Sequence, residues 1–134
     1  MLVGMDHIGI AVKNLDESIS VYRDTLGFKI EGVHVLKERQ LKVAFVSAGG
    51  ETRIELLEPL DRESSVAKFL ETRGEGIHHT AVRVKGIDRM LEDLKAKGVR
   101  LVDEKPRAGA EGARIAFVHP KSTHGVLLEL VEKP

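Results

Sequence analysis

The chain contains no cysteine, which excludes disulfide bonds and all thiolate chemistry, catalytic or metal-binding. It has no net charge either: 21 Lys and Arg balance 21 Asp and Glu, leaving no overall attraction to nucleic acid or to an anionic membrane. Any anionic partner must therefore be met locally. No apolar run approaches membrane-spanning length, no basic and apolar leader precedes Asp6-His7, and there is no low-complexity tract or block of like charge. The glycine clusters at 48–50 and 109–112 lack the spacing of a dinucleotide or phosphate loop between strand and helix, so turn chemistry accounts for them. What remains is 134 residues, 42% hydrophobic and 31% charged, the size and balance of one globular domain with its own core. Such a chain is expected in the cytoplasm, with neither nucleic acid nor membrane as partner.

Against this background the chain repeats itself. Met5-Asp6-His7-Ile8-Gly9-Ile10-Ala11-Val12-Lys13 returns as Ile77-His78-His79-Thr80-Ala81-Val82-Arg83-Val84-Lys85, each a histidine followed by small and apolar residues in the period of a buried strand. Lys42-Val43-Ala44-Phe45-Val46 returns as Arg114-Ile115-Ala116-Phe117-Val118, and the interval from His7 to Phe45 equals that from His79 to Phe117. Ile54-Glu55-Leu56-Leu57-Glu58 returns as Leu128-Glu129-Leu130-Val131-Glu132, and the interval from His7 to Glu55 is shorter by two than that from His79 to Glu129. A hairpin loop absorbs a difference of two without turning the side chain over.

Within each half the order of elements reads βαβββ. The first module, about residues 4–59, is expected to hold a strand to Val12 and a helix from Leu15 to Leu26 with Leu15, Ile19, Tyr22 and Leu26 on one face. Asn14 caps that helix, with Glu17 three residues on, and strands follow at 28–35, 41–47 and 53–58. Residues 60–76 form a linker with a short helix capped by Ser64 or Ser65. The second module, 77–132, repeats the plan with a helix at 87–97 stopped by Gly98 and strands near 100–102, 114–118 and 126–131. Residues 103–112 read as a loop. The fold class is α+β: two βαβββ modules pairing into a curved eight-stranded sheet with a cleft on its concave side.

Strand parity places Glu55 with Leu57 on one face and Ile54 with Leu56 on the other, and Glu129 follows the same split. A lone histidine at a strand start is ordinarily structural, and a glutamate within a strand ordinarily faces water, as Glu58 and Glu132 are expected to do. The repeat changes the reading for four residues. His7, Glu55, His79 and Glu129 arrive from equivalent strands, and two imidazoles with two carboxylates suit a divalent ion such as Co(II), Mn(II), Zn(II) or Ni(II). His78, of opposite parity, reads as structural, and His34 and His124 as surface residues.

This duplicated plan with histidine and glutamate ligands resembles the vicinal oxygen chelate superfamily, which includes glyoxalase I, extradiol dioxygenases and methylmalonyl-CoA epimerase. The segments Gly74-Glu75-Gly76-Ile77-His78-His79 and His119-Pro120-Lys121-Ser122 are the more epimerase-like. The resemblance implies the glyoxalase-like fold, His7, Glu55, His79 and Glu129 as metal ligands with Co(II) foremost, and a homodimer. It also implies a CoA thioester substrate epimerised at C2 through an enolate, with Glu129 as one acid/base. Glu55, Glu38 or a water at the metal are candidates for the other, because Val43 stands where some members carry a glutamate. Lys121 and Ser122 are candidates for contact with the CoA portion. A glyoxalase I-type lyase and a metal-free small-ligand-binding module are the alternatives on the same fold.

Overall fold

The computed structural model describes all residues, Met1–Pro134, as eight strands and three α-helices. The strands are β1 (Leu2–Ala11), β2 (Lys29–Leu36), β3 (Leu41–Ser47), β4 (Arg53–Pro59), β5 (Gly76–Val84), β6 (Arg107–Ala108), β7 (Arg114–Val118) and β8 (Leu128–Glu132). The helices are α1 (Leu15–Ser20), α2 (Ser65–Arg73) and α3 (Ile87–Ala96). The chain divides into two compact units, one of His7–His78 and one of Met1–Asp6 with His79–Pro134, so β1 contributes to both. Strand order is β2-β3-β4-β1 in the first and β6-β7-β8-β5 in the second, with β1–β4 and β5–β8 parallel and the other neighbours antiparallel. Both are the expected βαβββ arrangement, in which a parallel neighbour cannot be reached by a tight turn and the helix and hairpin supply the return.

In the first unit the residues of even parity face the helix. Val12, Leu15, Ile19, Ala44, Val46 and Leu56 form a buried cluster, with Ile10, Tyr22, Phe28 and Ile54 packed at its margin. Each large aliphatic side chain buried this way contributes about 1.5–3 kcal/mol. Asn14 caps α1 as expected, its side chain accepting from the Glu17 N–H at 3.0 Å. The helix then departs from expectation. Residues 21–25 continue as a wider π-type turn, with the Leu26 N–H bonded to the Val21 carbonyl five residues back. A wider turn rotates later side chains off the apolar stripe, so Leu26 is exposed rather than packed beneath Tyr22. In α2 the capping residue is Ser64, which accepts from the Ala67 N–H, and Phe69 meets the His78 ring edge-on at 5.1 Å. His78 is thus structural, as read from its parity.

The second unit repeats the core with Val84, Ile87, Leu91, Ala116, Val118 and Leu130 beneath α3, while Ala81, Ala113, Ile115, Phe117 and Val131 cluster on the opposite face. The strand expected at 100–102 is reduced to a single bridge between Leu101 and Val118. The Asp103 carboxylate accepts the Phe117 N–H at 2.9 Å, which takes the donor the next rung would need. Pairing resumes at β6, inside the segment read as a loop, where Arg107 and Ala108 lie opposite Ile115 and Arg114. Gly109 permits it: a Cβ there would sit 2.6 Å from the Ile115 side chain.

A second correction concerns Glu58 and Glu132. Neither simply faces water. Glu58 accepts the Leu15 N–H at 2.8 Å, and Glu132 accepts the N–H groups of Gly86 at 2.6 Å and Ile87 at 3.4 Å. Each last strand therefore anchors the amino terminus of its unit's helix through a carboxylate, where orphan N–H groups and the helix dipole both favour a negative charge.

Candidate metal centre

Each unit presents one buried histidine against one buried glutamate. His7 Nδ1 lies 3.0 Å from Glu55 Oε2 in the first, and His79 Nε2 lies 3.0 Å from Glu129 Oε1 in the second. Strand register explains how the pairs form. Glu55 sits beside Phe45 on β3 and Gly9 on β1, and Glu129 beside Phe117 on β7 and Ala81 on β5. A bulky ring thus walls one side of each carboxylate. A glycine or alanine on the other leaves room for an imidazole two residues earlier on the same strand face. The two-residue difference between the halves lies in the connection from β7 to β8, and both glutamates keep the same register to their phenylalanine.

All four side chains are close to fully buried, His7 at 3%, Glu55 at 7%, and His79 and Glu129 each at 2% exposure. Carboxylates are not left in such surroundings without partners, because desolvation costs several kcal/mol per ion. No buried side-chain polar atom in the protein lacks a partner. The surroundings of the two pairs differ. His79 meets the Phe117 ring edge-on at 5.5 Å and 87°, which fixes the plane of the imidazole. In the first unit Phe45 instead carries the Arg53 guanidinium 4.2 Å from its centroid and the His34 ring at 5.0 Å. A nitrogen and an oxygen donor from each unit are the ligand types that a borderline divalent ion takes, so the residues present fit such an ion.

The remaining sequence-derived candidates are carried by other elements. Lys121 and Ser122 form an exposed 3₁₀ turn between β7 and β8, where Ser122 Oγ accepts the Arg100 N–H at 2.8 Å and the Lys121 N–H donates to His119 Nδ1. Glu38 sits on the turn joining β2 and β3, and Val43 is fully buried on β3. His34 and His124 are exposed. Sequence reasoning missed Asp6, which is 2% exposed and binds both Arg83 and Lys133. Its one signal was that it breaks the repeat, since His78 occupies the equivalent place.

Residues 6–117 match the Glyoxalase/Bleomycin resistance protein/Dioxygenase superfamily. The solved methylmalonyl-CoA epimerase of Mycobacterium tuberculosis is similar with a TM-score of 0.94 and 42% identity, over 99% of this chain and 89% of that one. A methylmalonyl-CoA epimerase solved in complex with methylmalonyl-CoA and NH4+ is similar with a TM-score of 0.92 and 41% identity, over 99% of this chain and 96% of that one. The ethylmalonyl-CoA/methylmalonyl-CoA epimerase of Cereibacter sphaeroides is 36% identical over 97% of this chain and 98% of its own length. The lactoylglutathione lyase of Arabidopsis thaliana is more distant, 28% identical over 95% of this chain and 43% of its own length. At these identities and coverages the backbone plan is the glyoxalase-like fold that the resemblance implies, and the chain belongs to the Glyoxalase/Bleomycin resistance protein/Dioxygenase superfamily, among relatives that are methylmalonyl-CoA epimerases.

Proposed function

We propose that the chain is a metal-dependent methylmalonyl-CoA epimerase, and that its two units act as one catalytic domain. The observation that carries this reading is the buried histidine–glutamate pair present in each half, in a chain 41% identical to an epimerase solved with methylmalonyl-CoA. His7, Glu55, His79 and Glu129 would hold one divalent ion, with Co(II) the first candidate. When bound, that ion supplies Lewis-acid stabilisation to the negative charge that develops on a thioester oxygen.

The chain's own residues must then move a proton. The C2 hydrogen of methylmalonyl-CoA, flanked by a thioester and a carboxylate, is weakly acidic, and inversion needs a base on one face of C2 and an acid on the other. Glu129 takes one of these roles. Its carboxylate is held against His79, with Phe117 beside it excluding water. Glu55, the equivalent carboxylate of the first half, is the leading candidate for the other, with Glu38 as the alternative. Lys121 and Ser122 are assigned to the CoA portion. A homodimer in the cytoplasm completes the reading.

The decisive assay incubates the purified, Co(II)-loaded protein with methylmalonyl-CoA in deuterium oxide. Exchange of the C2 hydrogen is expected, and a rate no higher than a metal-free control would sink the proposal. Equilibrium dialysis against Co(II) tests the ligands separately: His7→Ala and His79→Ala should each lose binding, and retention by both would remove these residues from the metal site.

A further inference from the structure

The sheet face of the first unit that is turned away from α1 carries Val43 and Phe45 on β3 and Arg53, Glu55 and Leu57 on β4, opposite in parity to the helix-facing Ala44, Val46 and Leu56. A bulge on β2 decides what joins them. The pairing sets Ile30 against Val46 and then skips Glu31, so that Gly32 lies opposite Phe45 and His34 opposite Val43. Without the extra residue His34 would pair with Lys42 and share the face of Ala44. The bulge turns it to the face of Glu55. From there the His34 ring folds back along β2. A Cβ at residue 32 would sit 2.9 Å from its Nε2, so the imidazole lies over Gly32, in the row of Phe45 and Glu55, with its centroid 5.0 Å from that of the Phe45 ring.

The charged groups around Phe45 are engaged. Glu55 is held by His7 at 3.0 Å, and Arg53, whose guanidinium covers the Phe45 ring, lies 3.9 Å from Glu31. Arginine, moreover, does not give up its proton. His34 is exposed, and apart from the Phe45 ring contact neither of its nitrogens is committed to a protein partner. The repeat provides an internal comparison. Opposite Ile115, the counterpart of Val43, β6 carries Arg107, whose guanidinium lies 5.7 Å from the Phe117 ring and 3.3 Å from Asp103. Each half thus sets a nitrogen group over its phenylalanine, and only the one in the first half can exchange a proton.

We infer that His34 is a catalytic acid/base of the epimerisation, serving the face of C2 that Glu129 does not. The inference rests on the proposed epimerase reading and gives His34 the second proton-transfer role, leaving Glu55 as a ligand, a service that makes a carboxylate a poorer base. Imidazole is the group most often used for such transfers. In one direction the neutral ring takes the C2 proton while the C–H electron pair passes into the enolate, and protonated Glu129 returns a proton to the opposite face. In the other direction Glu129 takes the proton and the imidazolium returns one. Each conversion leaves the two groups in exchanged protonation states, and His34, standing at solvent, resets with water.

The test starts from each pure epimer of methylmalonyl-CoA in deuterium oxide, with Co(II)-loaded wild type, His34→Gln, Gly32→Ala and Glu55→Gln, and follows both inversion and deuterium uptake at C2. His34→Gln is expected to bind Co(II) as the wild type does and to invert about 100-fold more slowly. One epimer should still take up deuterium without inverting, because Glu129 continues to serve its own face, while the other should not. Gly32→Ala, whose methyl displaces the imidazole, should lower inversion about tenfold with the same one-epimer pattern. Inversion by His34→Gln within about tenfold of wild type, loss of its Co(II) binding, or equal loss of exchange from both epimers overturns the inference, as does a wild-type rate in Gly32→Ala. The one-epimer pattern in Glu55→Gln, which keeps an oxygen donor, and not in His34→Gln returns the role to Glu55. A wild type that neither inverts nor exchanges either epimer above the protein-free rate removes the epimerase reading and this inference with it. A wild type that does both, beside an unimpaired His34→Gln, removes the inference alone.

Discussion

Replacing Glu132 by alanine is expected to destabilise the fold by about 2 kcal/mol, and more than replacing Glu58 does. Glu132 accepts the Gly86 N–H at 2.6 Å and the Ile87 N–H at 3.4 Å, and Gly86, as the residue capping α3, has no side chain to do so instead. A hydrogen bond to a charged group contributes roughly 1.5–3 kcal/mol, and a carboxylate at a helix amino terminus about 0.3–1 kcal/mol more. The side chain is 25% exposed, so solvent competes and the lower end of the sum applies. Glu58 accepts the Leu15 N–H alone, at the start of a helix that Asn14 already caps, so about 1 kcal/mol is expected there. For 134 residues at roughly 2.1 cal/mol/K per residue, the unfolding entropy is about 0.28 kcal/mol/K, and about 2 kcal/mol lowers Tm by about 7 °C. Calorimetry or urea titration of both variants measures the difference. Equal costs would refute the argument that Asn14 relieves Glu58 at α1, and if both cost less than the roughly 0.5 kcal/mol typical of surface substitutions, the two carboxylates are surface groups and not anchors.

Two further outcomes follow from the fold. Gly109→Ala should cost about 1–3 kcal/mol in chemical denaturation, because the new methyl would meet the Ile115 side chain at 2.6 Å, and a neutral result would mean that β6 moves freely off β7. His119 should titrate below its ordinary value of 6.5, because burial, then the charges of Arg100 and Lys121, disfavour the imidazolium. The neutral ring is also what accepts the Lys121 N–H. Between the folded and unfolded values the unfolded chain binds more protons. Stability from this group is therefore present above pH 6.5 and lost as pH falls through the lower folded value. An NMR titration of the His119 ring at or above 6.5 would contradict this.

Much of the candidate site was legible because its information is periodic. Alternation along a strand states which residues share a face, and equal intervals in two halves state which residues correspond, so the histidines and glutamates could be paired from spacing alone. The departures occur where a side chain overrides the backbone pattern. Asp103 takes the N–H of Phe117 and ends a ladder that the apolar run at 100–102 would otherwise extend. The π-type turn at 21–25 shifts the helical period just before Leu26, which no apolar spacing records. Glu58 and Glu132 share the parity of the helix-facing Leu56 and Leu130, and parity does not say that a helix end lies above them.

By itself the sequence determined the duplicated βαβββ plan, the two halves' common register, and the four residues that pair as histidine with glutamate, since period and interval are properties of the chain as written. Only the tertiary structure decided what the other carboxylates do. Asp6 reaches Arg83 across 77 residues, and Glu132 reaches Gly86 across 46, contacts that no local pattern encodes. A buried carboxylate must find a cation or an N–H group wherever the fold brings one, and that choice is made by packing in three dimensions.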